Sequence, residues 1–264
     1  MKRLLVLLLF APALCAQKDP VSRSQNQPVA PFRIAGNIYY VGASDVTSYL
    51  ITTPQGHFLL DGGFEETAPM IRANIARLGF KVSDIKFLLN SHAHYDHAGG
   101  LAELKRVTGA KFVSSRGDLP QHARGGHDDP QFGDRFLYPP IEADRIIEDG
   151  QALTLGGVTM TAHITAGHTP GCTTWTTTAA KQRVVFVCSP TVPPQYKLTP
   201  KMIDDYRRQY ITLRSLHPDI FLGAHGNFFD LQEKIKSHDF VDPEGYRRFV
   251  DEMEARFEKA AASQ

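Results

Sequence analysis

The sequence has almost no net charge, because 29 lysine and arginine residues balance 28 aspartate and glutamate residues in a chain of 264 and leave a formal charge of +1. Such a chain has no general electrostatic attraction to nucleic acid or to an anionic membrane surface. A local basic stripe could supply that attraction, but the sequence contains none. Nucleic acid is therefore excluded as an expected partner.

Long apolar runs are also missing, apart from a short one at the amino terminus. Lys2 and Arg3 precede an apolar run over residues 4–14, which is shorter than the about 20 residues that a membrane-spanning helix needs. The small residue Ala16 then ends the segment before polar residues begin. This pattern predicts a secretory signal peptide over residues 1–16, cut after Ala16.

Lipid attachment at Cys15 is the alternative interpretation of this segment. It is disfavoured because that processing normally needs a small residue before the cysteine, and Leu14 is not small. We expect an exported protein without a membrane span, located in the periplasm or secreted. Disulfides are permitted in those compartments.

Cysteine is scarce, with three in the whole chain. Only Cys172 and Cys188 remain after the predicted cleavage, and they flank the two strands of a predicted hairpin at 173–178 and 184–187. They could form one disulfide bridge, or they could be two small buried thiols, as free cysteines often are. The sequence does not decide between the two, and we expect the free thiols.

The rest of the chain predicts an arm followed by a single domain. Residues 17–31 contain prolines among serine, glutamine and asparagine, which indicates an extended N-terminal arm without a core of its own. Residues 32–264 then alternate strand-like and helix-like patterns twice, with no linker between the halves. We therefore expect one domain over 32–264.

The order of the predicted elements indicates the fold class. The predicted strands are 38–41, 48–52, 57–60, 87–89, 146–147, 153–155, 158–164, 173–177, 184–187 and 221–222. Helices are predicted over 67–78, 98–107 and 199–216, with a terminal helix after Asp242; the pairs Thr199-Pro200 and Asp242-Pro243 are typical of helix starts. Two packed sheets with helices outside follow from this order, which is a four-layer α/β/β/α sandwich in the α/β class.

Histidine, by contrast, is abundant, with 11 residues. The segment 91–100, directly after the predicted strand 87–89, contains four side chains able to bind a metal: His92, His94, Asp96 and His97. Histidines two residues apart, followed by an aspartate and a histidine, can point to two sides of a turn. The segment therefore predicts two adjacent metal positions.

Two further histidines follow other predicted strands. His168 comes after strand 158–164, and His225 comes after strand 221–222. Ligands in α/β proteins gather at the carboxyl ends of strands, so these side chains are expected to converge on the first cluster. Five imidazoles and one carboxylate suit zinc better than Mg²⁺ or Ca²⁺, and three protein ligands for each ion leave a position open for water, which indicates catalysis.

The pattern His92-x-His94-x-Asp96-His97, with His168 and His225, resembles the metallo-β-lactamase fold superfamily over nearly the whole mature chain. Two longer segments, 167–176 and 123–134, look like those of class B β-lactamases of subclass three. The resemblance implies that two zinc ions are bound. It assigns the first zinc to His92, His94 and His168, and the second to Asp96, His97 and His225.

The same resemblance implies the reaction. A metal-bound hydroxide would attack the β-lactam amide of penicillins, cephalosporins and carbapenems, conferring antibiotic resistance, and Asp96 would orient that hydroxide. Ser189 and Thr191 are the residues implied to meet the carboxylate of this small-molecule substrate. We expect the enzyme to be a monomer.

Two alternatives stay open. One is another hydrolase of the superfamily that acts on a lactone or a thioester, and the other is a non-catalytic zinc-binding protein. Thioester hydrolases and lactonases of the superfamily carry a metal-bridging aspartate after the strand that corresponds to 184–187. Here that strand ends in Cys188-Ser189-Pro190, without a carboxylate. The first β-lactamase subclass has a cysteine ligand there and a lysine three residues later. If Ser189 occupies the position of that cysteine, the residue three places later is Val192 and not a lysine, so the first subclass is disfavoured.

Other polar residues near these loops have weaker assignments. Asp61, at a strand end, is a candidate to support a metal-binding histidine from behind, or it simply forms the turn with Gly62 and Gly63. His122 and His127 lie in the loop expected to overhang the site. The histidines that we do not expect to bind metal are His57, His163, His217 and His238.

Overall fold

The computed structural model describes residues 20–263, in which two sheets pack face to face and helices cover their outer faces. The first sheet has seven strands in chain order: β1 Phe32–Ala35, β2 Ile38–Tyr40, β3 Tyr49–Thr53, β4 Gly56–Leu60, β5 Ile85–Leu89, β6 Lys111–Ser115 and β7 Arg145–Ile147. Neighbours from β1 to β4 are antiparallel, and those from β4 to β7 are parallel.

The second sheet has five strands in the order β12-β11-β10-β9-β8. They are β8 Ala152–Leu155, β9 Val158–Ile164, β10 Thr173–Ala179, β11 Gln182–Val187 and β12 Ile220–Gly223. All neighbours are antiparallel except β11 and β12, which are parallel. The helices are α1 Pro20–Gln25, α2 Ala68–Arg77, α3 Tyr95–Ala98, α4 Leu101–Thr108, α5 Leu119–Arg124, α6 Pro200–Ser215, α7 Leu231–Ser237 and α8 Pro243–Ala262.

Alternation of side chains along the first sheet divides the core into two clusters. Ile51 and Leu60 face the second sheet, whereas their neighbours Leu50 and Leu59 face α2 and α4 on the other side. Successive residues of a strand point to opposite faces, so a strand that is buried on both faces must be apolar throughout. This arrangement confirms the predicted four-layer sandwich.

Both predicted helix starts that combine a cap with a proline are confirmed. The Thr199 side chain accepts a hydrogen bond from the Met202 amide, and the Asp242 side chain accepts one from the Gly245 amide. Proline at the first helical position costs no hydrogen bond, because that amide has no partner within the helix.

Three parts of the predicted secondary structure are wrong. Residues 20–25 of the N-terminal arm form a helix, whereas an extended segment was expected; the proline at its start is compatible with the first helical turn. The predicted helix 98–107 is divided into α3 and α4 around Gly99 and Gly100. Several short elements escaped prediction, namely β1, β6, α5 and α7.

The expectation of free thiols is also wrong, since Cys172 and Cys188 form a disulfide with a Cα–Cα distance of 5.9 Å. The register of the hairpin explains the bridge. Trp175 of β10 pairs with Phe186 of β11, which places the two cysteines diagonally across the open end of the hairpin. Their separation is within the usual range for a disulfide.

The predicted signal peptide, residues 1–16, lies outside the described residues. Among residues 20–263, no helix combines the length and the apolar composition needed to cross a membrane.

The strand directions determine where polar loops gather. Strands β4, β5 and β6 are parallel, so the loops that follow them all lie along the same edge of the first sheet, at the carboxyl ends of these strands. Strands β11 and β12 are likewise parallel. An isolated bridge between Val46 and His225 joins the two sheets at this edge. The edge is therefore the place where the predicted metal ligands can meet.

Candidate metal centre

The loop between β5 and α3 carries the first ligand candidates, and Asp61 at the end of β4 organises its start. The Asp61 carboxylate accepts hydrogen bonds from the Ser91 amide at 2.6 Å and from the Asn90 side chain at 2.8 Å. Asp61 itself has a left-handed backbone conformation with φ of 63°. This fixes the backbone that leads into His92.

The first group of ligand atoms consists of His92, His94 and His168. His94 Nδ1 lies 3.1 Å from His168 Nε2, and the ring of His92 lies 4.8 Å from each of the other two rings. One ligand atom from each of the three residues lies within 4.8 Å of the others. The structure thus brings together all three residues assigned to the first zinc.

The second group consists of Asp96, His97 and His225. Asp96 Oδ2 is 3.3 Å from His97 Nε2 and 3.6 Å from His225 Nε2, and the two nitrogens are 3.1 Å apart. Ligands at about 2.0–2.1 Å from a tetrahedral zinc lie about 3.3 Å from one another. The ring of His92 lies 4.3 Å from that of His97, so the two groups are adjacent.

The hydrogen-bonding partners of the first group direct a lone pair of His168 at the ring of His94. His168 Nδ1 lies 3.0 Å from the Thr191 carbonyl oxygen, which only an N–H can satisfy, so His168 Nε2 carries a lone pair. That lone pair meets His94 Nδ1 at 3.1 Å. His94 Nε2 faces Asp129 Oδ2 at 3.8 Å, so a neutral His94 with its proton on Nε2 would present a second lone pair, and a cation between the two nitrogens would stabilise this contact.

The second group repeats this arrangement with carboxylates behind the rings. His225 Nδ1 donates to Asp45 Oδ2 at 2.9 Å, and His97 Nδ1 faces Asp61 Oδ2 at 3.4 Å. When His97 is neutral, as metal binding requires, both Nε2 atoms carry lone pairs directed into the group. Carboxylate support of this kind orients a metal-binding imidazole and increases its basicity. The donor set therefore fits a pair of zinc ions.

The charge balance of the second group also favours a cation. Burial alone would raise the pKa of Asp96, but His97 and then His225 and His94 outweigh it and hold the pKa well below its usual range. Burial alone would lower the pKa of His97, but Asp96 and Asp61 raise it to about 10. A positive charge at this position is therefore stabilised by the surrounding carboxylates.

The imidazoles of the first group are kept neutral. Burial lowers the pKa of His94 to about 4. Burial, together with the neighbouring histidines, holds the pKa values of His92 and His168 well below their usual range. Neutral imidazole is the form that binds a metal, so no proton has to be removed for binding at neutral pH.

Asp118, which the sequence did not indicate, joins the loop of His92 and His94 to the loop of His168. Its carboxylate accepts hydrogen bonds from the Ala93 amide at 3.0 Å, the Thr169 hydroxyl at 3.0 Å and the Gly171 amide at 2.7 Å. Burial raises its pKa to about 6. Asp45 and Asp129 were missed as well, and no local sequence pattern distinguishes these aspartates from ordinary turn residues.

The predicted substrate-binding residues lie beside the first group. Ser189 is buried, with 2% of its surface exposed, and its hydroxyl lies 3.0 Å from that of Thr191. Thr191 is half-buried. The paired hydroxyls follow β11 directly, as the sequence predicted, and their contact with a substrate stays a prediction.

Two aromatic side chains stand over the first group. The ring of Phe132 lies 5.2 Å from that of His94, and Tyr196 lies 5.6 Å from both Phe132 and His168. The Gln131 side chain joins the loop of Phe132 to the loop of Tyr196, because it accepts a hydrogen bond from the Lys197 amide and donates one to the Lys197 carbonyl. A cavity of about 130 Å³ adjoins this wall.

The structure does not bring His122 or His127 to the metal ligands. His122 is buried on α5 against Phe112, and neither of its ring nitrogens has a hydrogen-bonding partner among the described residues. His127 is exposed and lies 3.4 Å from Asp134.

Comparisons with known proteins agree with this geometry. The family model of the metallo-beta-lactamase superfamily matches residues 41–225. Among solved structures, the FEZ-1 metallo-beta-lactamase of Legionella gormanii is 39% identical with a TM-score of 0.88, covering 90% of this chain and 98% of that one. A metallo-beta-lactamase of Cronobacter sakazakii is 40% identical with a TM-score of 0.89, covering 92% and 98%.

A third solved structure is a class B3 di-zinc metallo-beta-lactamase, LRA-12, from an Alaskan soil metagenome. It is 35% identical with a TM-score of 0.84, covering 88% of this chain and 94% of that one.

Curated relatives match over shorter segments. A probable metallo-hydrolase of Burkholderia pseudomallei is 33% identical over 120 residues, which is 43% of this chain and 37% of the relative. A hydroxyacylglutathione hydrolase of Maricaulis maris is 34% identical over 82 residues, 31% of this chain and 25% of the relative. The chain therefore spans less than half the length of these curated relatives.

Proposed function

Because the chain belongs to the metallo-beta-lactamase superfamily, we propose that it hydrolyses the β-lactam amide bond of penicillins, cephalosporins and carbapenems with two zinc ions. The observation that carries this proposal is the pair of adjacent three-donor groups: His92, His94 and His168 beside Asp96, His97 and His225. Resistance of the host to these antibiotics would follow from the activity.

The end of β11 separates this proposal from its nearest alternatives. Cys188 is bonded to Cys172, so its sulfur is not free to act as the cysteine ligand of the first β-lactamase subclass. The next residues, Ser189 and Pro190, offer no carboxylate to bridge two metals. The activity of a hydroxyacylglutathione hydrolase, as some curated relatives are named, would lack its bridging ligand here.

When bound, zinc supplies a Lewis acid and makes a hydroxide nucleophile available at neutral pH. The residues of this protein then have two tasks. The ionised Asp96, whose pKa is held down by His97, accepts a hydrogen bond from the nucleophile and orients it. The ring positions of His168 and His225 are fixed by the Thr191 carbonyl and by Asp45. Holding the reacting groups in place in this way lowers the entropic part of the barrier.

Substrate binding in this proposal uses hydroxyls and aromatic rings. The Thr191 hydroxyl, held by that of Ser189, donates to the substrate carboxylate. Phe132 and Tyr196 form an apolar wall beside the first group, against which a substrate substituent packs and excludes water. Hydroxyl donors orient an anion without the charge of a lysine, so a modest contribution to affinity is expected from each.

The protein is proposed to act as a monomer after export to the periplasm or the medium. The signal-like segment 1–16 and the disulfide between Cys172 and Cys188 support this location, because such bonds persist mainly in oxidising compartments.

One assay tests the function. Purified protein is mixed with a chromogenic cephalosporin or with a glutathione thioester, with and without a chelator. We expect chelator-sensitive cephalosporin hydrolysis that zinc restores. Turnover of the thioester alone would instead indicate a thioester hydrolase. Two bound zinc ions without turnover of either substrate would indicate a non-catalytic zinc-binding protein.

A further inference from the structure

The N-terminal arm contacts the segment that supports the second metal group. The Gln25 carbonyl oxygen accepts hydrogen bonds from the amides of Asp45 at 3.0 Å and Val46 at 3.2 Å. The Ser44 hydroxyl accepts from the Gln27 amide and donates to the Ser24 carbonyl. The arm is therefore bonded to residues 44–46 at several points.

The same segment holds the loop of His225. The Asp45 Oδ2 atom accepts from His225 Nδ1 at 2.9 Å, and Oδ1 accepts from the Asn227 amide at 2.8 Å. The Asp45 carbonyl accepts from the Gly226 amide at 2.6 Å, and the Thr47 amide donates to the Ala224 carbonyl at 3.1 Å. Residues 45–47 thus lie between the arm and the metal-binding loop.

One contact links the arm to the carboxylate that supports the metal-binding His225. The Gln25 side-chain amide donates to Asp45 Oδ2 at 3.3 Å, and this is the oxygen that also accepts from His225. Both Asp45 and His225 are largely buried, with 17% and 16% of their side-chain surfaces exposed. Two donors on one oxygen restrict the rotation of the carboxylate, and with it the direction of the imidazole.

We propose that Gln25 and Asp45 form a relay through which the N-terminal arm orients His225 and so determines the metal affinity of the second group. The proposal rests on the proposed function only in requiring a metal at this group. Gln25 and Asp45 are positioning residues, since neither contributes a ligand atom. The first group has no contact with the arm among the described hydrogen bonds, so its affinity is expected to be independent of the relay.

The experiment compares three variants of the full mature chain. Gln25→Ala removes the amide contact to Asp45, and Asp45→Asn removes the carboxylate charge behind His225. The matched control is Gln27→Ala, because Gln27 is an exposed glutamine of the same arm whose side chain donates to the Arg23 carbonyl and not to Asp45. Metal-free protein is titrated with Co²⁺ against a competing chelator, and the two binding steps are followed by visible absorption.

We expect Gln25→Ala to weaken the second binding step by about threefold to tenfold, the range of one ordinary hydrogen bond. Asp45→Asn should weaken it by about tenfold to a hundredfold, as loss of a carboxylate behind a ligand usually does. Gln27→Ala should change neither step. In Gln25→Ala and Asp45→Asn, the proton NMR signal of the His225 Nδ1–H should also move, while the first binding step is retained.

Two results would overturn the relay. The first is an unchanged second step in Gln25→Ala. The second is an equal loss at both steps, which would indicate general destabilisation. The titration uses no β-lactam, so the two proposals fail separately: a parent protein that binds two metals but leaves cephalosporin intact refutes the proposed function and not the relay.

Discussion

The two metal groups differ in what holds their imidazoles in place. In the first group, His92 Nδ1 meets the Ser91 hydroxyl at 3.0 Å and His168 Nδ1 meets the Thr191 carbonyl. These partners are uncharged, and they lie 1 and 23 residues away in sequence. In the first group, His92 and His168 are therefore oriented by neutral hydrogen bonds, while His94 faces a carboxylate, Asp129 Oδ2, at 3.8 Å.

In the second group, carboxylates take that role and come from farther away. Asp45 supports His225 from 180 residues away, and Asp61 faces His97. Charged support raises ligand basicity more than a neutral partner does. The comparison indicates that neutral partners hold most imidazoles of the first metal position, whereas carboxylates from remote segments hold those of the second.

The largest expected effect comes from removing a ligand of the first group. His168→Ala should lower kcat/KM for a chromogenic cephalosporin by at least about a hundredfold, because the Lewis acidity of a bound metal contributes several kcal/mol. Metal analysis should find one ion less for each chain, with the second group still loaded. Unchanged metal content and activity would remove His168 from the ligand set.

A smaller effect is expected from residues that support each group from behind. Asp118→Asn loses an acceptor shared by the Ala93 and His168 loops, so it should weaken the first metal by about tenfold to a hundredfold. The matched substitution is Asp61→Asn, because Asp61 lies behind His97, and it should weaken mainly the binding of the second metal. Chelator competition measures both. If the two variants affect the same position, the proposed difference between the groups is wrong.

The disulfide should affect stability more than metal binding. Its loop spans 16 residues, and the double substitution Cys172→Ala with Cys188→Ala should lower the free energy of unfolding by about 3 kcal/mol. Because Cys188 Sγ lies 3.2 Å from the Ser91 carbonyl, any effect on metal affinity should be confined to the first group. Urea unfolding and metal titration test this, with chemically reduced parent protein as the control.

A buried histidine outside both groups gives the smallest expected effect at neutral pH, and its effect grows as the pH falls. Burial lowers the pKa of His122 to about 3, below the ordinary value of about 6.5, so the unfolded chain takes up a proton that the folded chain does not. His122 therefore costs stability progressively as pH falls from about 6.5 towards 3. In His122→Leu this slope should decrease by up to about 1.4 kcal/mol per pH unit.

Urea unfolding of metal-free protein at several pH values measures the slope for the variant and the parent. Using metal-free samples keeps metal release out of the comparison. Equal slopes for the two proteins would show that His122 binds its proton equally well in the folded and unfolded chains, which would contradict the lowered pKa.

The sequence was most informative where a pattern is local. Strand β9 was predicted with its exact bounds from alternating apolar residues, and α6 and α8 were predicted from caps followed by proline. The six side chains predicted to bind metal lie close together, because spacing in one loop and position after strands both follow from local sequence. Short strands such as β6 have too few residues for a periodic signal.

The sequence alone determined which donors this protein has and which strands deliver them, because ligand chemistry and side-chain alternation are properties of short segments. Only the tertiary structure decided what stands behind each donor: Asp45, Asp118 and the bridge between Cys172 and Cys188 act through contacts between distant segments. Such contacts depend on how the two sheets and the N-terminal arm pack, and no local pattern encodes that packing.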